Sequence, residues 1–197
     1  MFTGIIQALG VIQSKQVFEK GARLEFKTHD LDLSNVAIGD SIAVNGVCLT
    51  AIEITSHSFK ADLSQETLDC TVFDKLNENS AVNLEKALRI NQGIDGHLVS
   101  GHVDGVAIVV DKFNEGESTR FKIKAPKNLV KYIAKKGSAC INGVSLTVNS
   151  IENDVFDLNI VPHTLTKTTL GQLNIGDGVN LEVDIIARHL EQLIANK

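Results

Sequence analysis

Tryptophan is absent, and the 197 residues hold only two prolines, three cysteines and one methionine. A chain this poor in proline is neither collagen-like nor a proline-rich linker. With 43% hydrophobic and 22% charged residues, disorder and coiled coil are excluded as well. Cys48, Cys70 and Cys140 cannot all pair, and a chain of this length has no need of disulfide staples, so they read as free thiols. No run approaches the roughly 18 apolar residues that span a bilayer, and MFTGIIQALG lacks a basic segment followed by an apolar run. A cytoplasmic protein without a membrane partner is expected. An excess of positive charge is missing too: 19 Lys and Arg against 24 Asp and Glu give −5, no field to recruit nucleic acid. GxGxxG, GxxxxGK[ST] and GxSxG are all missing, which removes the easiest nucleotide and hydrolase assignments.

What is present is a repeat. NGVCLT at 45–50 returns as NGVSLT at 142–147, an offset of 97, and at that offset VNLE at 82–85 meets VNLE at 179–182. Without gaps, 16 of the 41 positions from 45 to 85 are identical to their counterparts. Gly4 falls on Gly101 and Ser41 on Ser138 in the same register. Two long units indicate a duplicated domain rather than a solenoid. The expected division is residues 1–97, the first domain with a linker around ALRINQGIDG, then 98–184, then a tail at 185–197.

Apolar residues alternate in short runs: Leu24 and Phe26, Ile42 and Val44, Ile52 and Ile54. Period two, with Gly, Asn and Asp turns between runs, predicts half-buried strands and a small antiparallel barrel in each half. A short helix is predicted from Pro126 to about Lys135, with proline in the first turn and Leu129 and Ile133 four apart. The tail places Ile186, Leu190, Leu193 and Ile194 at amphipathic helical spacing and has no counterpart in the first half. So short a helix is marginal alone and needs the barrels or another subunit against its apolar stripe.

Duplication supplies an internal control. Asn45–Gly46 and Asn142–Gly143 read as strand-connecting turns, while the paired hydroxyls Thr50/Thr147 and Thr67/Thr164 suit either a strand or two copies of a polyol or heterocycle. Differences suggest divided labour: Cys48 opposes Ser145, Ile5 opposes His102, Glu66 opposes His163 and Gly39 opposes Lys136. A thiol is the more easily activated nucleophile or proton donor, and an imidazole serves as acid or base. Cys70 and Cys140 lie in no paired motif and read as small buried hydrophobes. His97 and His102 lack a third ligand at a recognisable spacing, so no metal site is expected, and His97 reads as a turn or surface residue.

MFTGII, NGVCLT, GHLVSGH, NGVSLT and PHTLTKTTLG, in this order across the chain, resemble the riboflavin synthase family of the single-chain, trimeric type. The resemblance implies an all-β protein of two homologous six-stranded Greek-key barrels from an internal duplication, plus a C-terminal α-helix that builds a homotrimer. It also implies a transferase reaction without cofactor or metal. In the implied reaction two molecules of 6,7-dimethyl-8-ribityllumazine dismutate by four-carbon transfer to riboflavin and 5-amino-6-(D-ribitylamino)uracil, and the resemblance leaves association with lumazine synthase open. Carried over by motif, Gly4, Ile5, Ile6, Cys48, Leu49, Thr50, Asp62, Leu63, Ser64, Gln65, Glu66 and Thr67 line the pocket of the first barrel. Gly101, His102, Val103, Lys136, Ser145, Leu146, Thr147, Asn159, Ile160, Val161, Pro162, His163 and Thr164 line that of the second. His102 is the implied base or shuttle. Cys48, Ser145 and Thr147 would add to, or hydrogen-bond, the activated ring, with Asp184 and Lys136 assisting electrostatically. Two rivals stand beside it. One is a lumazine or flavin binder without turnover, which needs neither thiol nor imidazole; the other is the flavin barrel of an oxidoreductase, for which a nucleotide domain is missing.

Overall fold

The computed structural model describes residues 1–195. The alternation of the sequence becomes thirteen strands. The first half holds β1 (Ala8–Phe18), β2 (Gly21–Lys27), β3 (Ser41–Val44), β4 (Val47–Thr50), β5 (Glu53–Ile54), β6 (Ser58–Ser64) and β7 (Ala81–Lys86). The second holds β8 (Gly105–Glu115), β9 (Ser118–Lys124), β10 (Ser138–Ile141), β11 (Val144–Glu152), β12 (Val155–Ile160) and β13 (Gly178–Val183). All pairings are antiparallel, and β10-β11-β12-β9-β8-β13 closes into a six-stranded barrel whose non-sequential neighbours give the Greek-key path.

In the first half the order is β4-β3-β7-β1-β2-β6-β5. Shifting Glu53 and Ile54 by 97 lands inside β11, so β4 and β5 are one barrel strand broken at Ala51–Ile52. β11 carries a register irregularity at the equivalent point, between Val148 and Ser150. A bulge in one copy has become a break in the other, and the six-position barrel survives.

Leu24, Phe26, Ile42, Val44 and Phe59 fill the first barrel, where Phe26 lies 5.1 Å from Phe59 and 6.2 Å from Phe73, ring centre to ring centre. Phe121, Ile123 and Phe156 fill the second. Each such side chain contributes roughly 1.5–3 kcal/mol of burial, enough to fix strand register, because a slip of one residue would turn the set outward.

The barrels meet back to back. The Asn45–Gly46 and Asn142–Gly143 turns have positive φ throughout, as expected of hairpin turns, and a Cβ on Gly46 or Gly143 would come within 2.7 Å of the other's backbone nitrogen. Asn83 Nδ2 donates to Asn142 O and Asn180 Nδ2 to Asn45 O, each at 2.8 Å, while their Oδ1 atoms accept from Thr169 N and Val72 N. Phe2, Ala43, Val99 and Cys140 form a third apolar cluster at this seam.

The predicted helix at 126–135 is not formed. Leu129, Tyr132 and Ile133 donate three residues back, a single 3-10 turn spans Val130–Tyr132, and Ile133 is already extended. Leu129 and Ile133 are buried in the second core, and this tighter connection seats both before the chain enters β10. Two six-residue helices that the sequence did not signal, α1 (Gln65–Cys70) and α2 (Pro162–Lys167), follow β6 and β12 at equivalent places. The tail is helical as predicted, α3 (Ile185–Ala195), with Asp184 Oδ1 accepting from Ile186 N at 2.9 Å; residues 196 and 197 of the predicted tail lie outside the described residues. No helix of the described residues is long and apolar enough to cross a membrane.

Candidate active site

The N-terminal segment does not stay with its own barrel. Gly4 O accepts from Ser145 N at 2.8 Å, and Ile6 packs on the second core; Gly101 O accepts from Cys48 N at 2.8 Å, and Val103 packs on the first. The expected grouping is therefore corrected. Gly4–Ile6 belongs with Ser145–Thr147, and Gly101–Val103 with Cys48–Thr50. Glycine is required at both contacts: φ is +77° and +82°, and a Cβ would lie 2.6 Å from that of Ser145 or Cys48. A sequence offset shows which positions are equivalent, but not which half a connecting segment packs against.

In the first barrel, Asp62, Leu63 and Ser64 end β6, and Gln65, Glu66 and Thr67 open α1, where Ser64 Oγ caps by accepting from Thr67 N at 3.1 Å. Thr50, Asp62, Ser64, Gln65 and Glu66 are exposed, Cys48 and Thr67 half-buried, Leu49 and Leu63 buried. Asp62, nominated to accept sugar hydroxyls, is already held by Arg23 Nε at 2.7 Å and Nη2 at 2.9 Å, and the guanidinium keeps its carboxyl below the usual range. Its free lone pairs still face solvent. His102 is exposed, next to the Gly101 that touches Cys48.

In the second barrel, Asn159 and Ile160 end β12, Val161 caps α2, and Pro162, His163 and Thr164 form its first turn. Thr147 and Asn159 are exposed, Leu146 and Thr164 half-buried, Ile160 buried. Lys136 is an exposed lysine at φ +67°, where the first half has Gly39 at +96°. A side chain there costs about 1 kcal/mol of strain, so glycine would be the easier choice at this position.

His97 is the residue that sequence reasoning missed. Rather than a turn or surface histidine, it is half-buried, and its Nδ1 lies 2.6 Å from Ser145 Oγ. Burial lowers its pKa and so favours the neutral imidazole, opposed by the charge of Asp184; in the tautomer with a bare Nδ1, that nitrogen accepts from Ser145 Oγ. Asp184 thus both caps α3 and faces this histidine. His97 has no counterpart in the first half, so comparison of the halves could not find it; the one available signal was GHLVSGH itself. Among the free cysteines, Cys140 is fully buried, as expected, and burial beside Glu182 and Glu85 pushes its thiol well up. Cys70, expected to be buried, is exposed on α1.

The two groupings sit at equivalent places but differ in chemistry: a thiol residue whose backbone N–H donates to Gly101 O, next in sequence to exposed His102, in the first, and a hydroxyl hydrogen-bonded to a half-buried imidazole in the second. An open cleft of about 720 Å³ at the seam, lined by Leu68, Val72, Asp177 and Thr169 among others, contains none of the nominated residues.

The lumazine binding domain model matches twice, at residues 3–87 and 100–184. Riboflavin synthase of Photobacterium phosphoreum is 46% identical over 98% of this chain and 89% of its own. The chain belongs to the riboflavin synthase family. The Bacillus subtilis enzyme is 37% identical over 98% of this chain and 90% of its own. Crystal structures of LumP complexed with 6,7-dimethyl-8-(1'-D-ribityl) lumazine and with riboflavin superpose with TM-scores of 0.84 and 0.86, at 28% and 29% identity, over 93% of this chain and 99% of LumP. His97 falls between the two domain matches, in the 88–99 stretch that neither copy of the family repeat covers.

Proposed function

We propose that the chain is a riboflavin synthase, converting two molecules of 6,7-dimethyl-8-ribityllumazine into riboflavin and 5-amino-6-(D-ribitylamino)uracil. The observation that carries the reading is the pair of chemically different pockets in a family whose reaction joins two identical molecules. The four-carbon unit leaves one ring as it joins the other, so atoms and electrons balance between the two lumazines with no outside oxidant.

In the second pocket, the Ser145 hydroxyl either hydrogen-bonds the electron-poor ring with its proton retained, or adds to it while neutral His97 takes that proton and Asp184 stabilises the resulting imidazolium. Thr147 and the Lys136 ammonium supply hydrogen bonds and positive charge to that ring. In the first pocket Cys48 faces the partner ring, and exposed His102 moves the proton lost from its acidic methyl. The β6–α1 and β12–α2 junctions, with Asp62, Glu66, Thr67, Asn159 and Thr164, bind the ribityl chains and ring edges. Proximity comes from assembly: the first barrel of one subunit faces the second barrel of its neighbour in a homotrimer built through α3, in the cytoplasm. The same reading includes association with lumazine synthase.

Binding without turnover is the second reading, favoured by the LumP complexes. The higher identity to the synthases and the Ser145–His97 contact weigh against it. Stopped-flow or steady absorbance with lumazine alone tests the proposal: riboflavin must form, and lumazine that only binds would leave the LumP-like reading.

A further inference from the structure

Two buried carboxylates do nothing in the chemistry above. Glu85 on β7 and Glu182 on β13 are 3% and 2% exposed, occupy equivalent positions, and point away from their own barrel cores, since Leu84 and Leu181 fill those. Glu85 Oε1 accepts from Thr3 N at 2.7 Å and Thr3 Oγ1 at 2.8 Å, and Oε2 accepts from Gly4 N at 3.0 Å. Glu182 repeats the pattern, Oε1 accepting from Ser100 N at 2.6 Å and Ser100 Oγ at 2.7 Å, and Oε2 from Gly101 N at 3.0 Å. The next bond in each chain of contacts leaves the half it started in: Gly4 O receives Ser145 N, and Gly101 O receives Cys48 N.

We propose that Glu85 and Glu182 are positioning residues that act crosswise, Glu85 in the first barrel setting the pocket of the second, and Glu182 in the second setting that of the first. Neither reaches a reacting atom. A carboxylate taking three donors is a rigid anchor, and burying one is costly unless those donors are supplied. Burial raises both carboxyls, opposed by the hydrogen bonds from Thr3 and Gly4 at Glu85 and from Ser100 and Gly101 at Glu182. A purely structural need would be met more cheaply by apolar side chains at a seam that already packs Phe2, Ala43 and Val99. What the carboxylates add is a fixed placement of two peptide units against the two residues, Ser145 and Cys48, on which the pockets differ.

The experiment uses Glu85→Gln and Glu182→Gln in the full chain with Cys70→Ser, which leaves Cys48 as the alkylatable thiol beside fully buried Cys140. Iodoacetamide labelling is followed by mass spectrometry, first without ligand and then across a titration of 6,7-dimethyl-8-ribityllumazine. Without ligand, Glu182→Gln raises the Cys48 labelling rate severalfold and Glu85→Gln leaves it within twofold. With lumazine, the concentration that half-protects Cys48 rises on the order of tenfold in Glu182→Gln only, the loss expected when a charged acceptor is replaced by one that turns a donor toward an N–H. Riboflavin formation falls in both, since each pocket is needed. The reverse assignment, equal changes in both variants, or no change in either would overturn the proposal. Should a Gln variant fail to fold, Thr3→Val and Ser100→Ala remove one bond each from the same anchors and repeat the comparison with smaller shifts. The lumazine arms rest on the proposed function, but the ligand-free labelling does not. A wild-type chain that lumazine fails to protect would count against that function while the crosswise claim is still decided.

Discussion

The exposed stripe of α3 sets a quantitative test of assembly. Ile186, Leu190, Leu193 and Ile194 are 65%, 55%, 69% and 61% exposed in the single subunit. At roughly 1.5–3 kcal/mol for fully burying each, covering what is exposed contributes about 4–7 kcal/mol per subunit. The other face is tied down by Glu191 to Lys131 and Tyr132, and by Arg188 to Asp104, so the helix is docked and its stripe is free to meet a neighbour. Replacing Leu190 and Leu193 with Glu removes about half of that contribution and places two carboxylates where water would be excluded, which weakens association by more than roughly a hundredfold. Light scattering coupled to size exclusion at micromolar concentration should show trimer for the wild type and monomer for the variant. Riboflavin formation should fall with the trimer fraction, while lumazine affinity per chain changes less than twofold. A variant that stays trimeric and active, or a monomer at full rate, would refute the reasoning.

Other consequences follow from particular contacts. Cys48→Ala should lower turnover at least tenfold with little change in lumazine affinity; an unchanged rate removes the thiol from the mechanism. Because burial lowers the His97 pKa, the neutral base persists below pH 6.5, and turnover should fall only as pH drops through that lowered value. His97→Gln should abolish this acidic limb and cost roughly a hundredfold or more in rate, and a pH profile matching the wild type would contradict the assignment. His97 also makes unfolding easier as pH falls below 6.5, since the unfolded chain takes up the proton first, and thermal melts of the His97→Gln variant should lack that component. Asn83→Leu leaves the Asn142 carbonyl and the Thr169 amide without a partner in the seam and should destabilise the protein by about 2–5 kcal/mol in urea titration; a loss under 1 kcal/mol would show that water replaces both bonds.

The strands were legible because their periodicity is a local property: Leu24, Phe26, Ile42 and Val44 announce a barrel face without reference to anything distant. α3 was legible for the same reason. The helix expected at 126–135 failed because the four-residue spacing of Leu129 and Ile133 also fits two side chains packed into the second core, and tertiary packing chose the tighter turn. α1 and α2 are too short to carry a period. The chemistry of Cys48 against Ser145 could be read from the offset, whereas the crossing of Gly4 and Gly101 could not, since it depends on how the two halves pack. His97 and the two buried glutamates share that origin: VNLE shows Glu85 and Glu182 to be equivalent, but only the fold brings Thr3, Gly4, Ser100 and Gly101 onto them.

The central claim is tested most directly by giving the purified chain 6,7-dimethyl-8-ribityllumazine alone, anaerobically and without added cofactor, and following both chromophores by absorbance. One riboflavin formed for every two lumazines consumed is the predicted result. Saturable binding of lumazine with no riboflavin over many hours would contradict it.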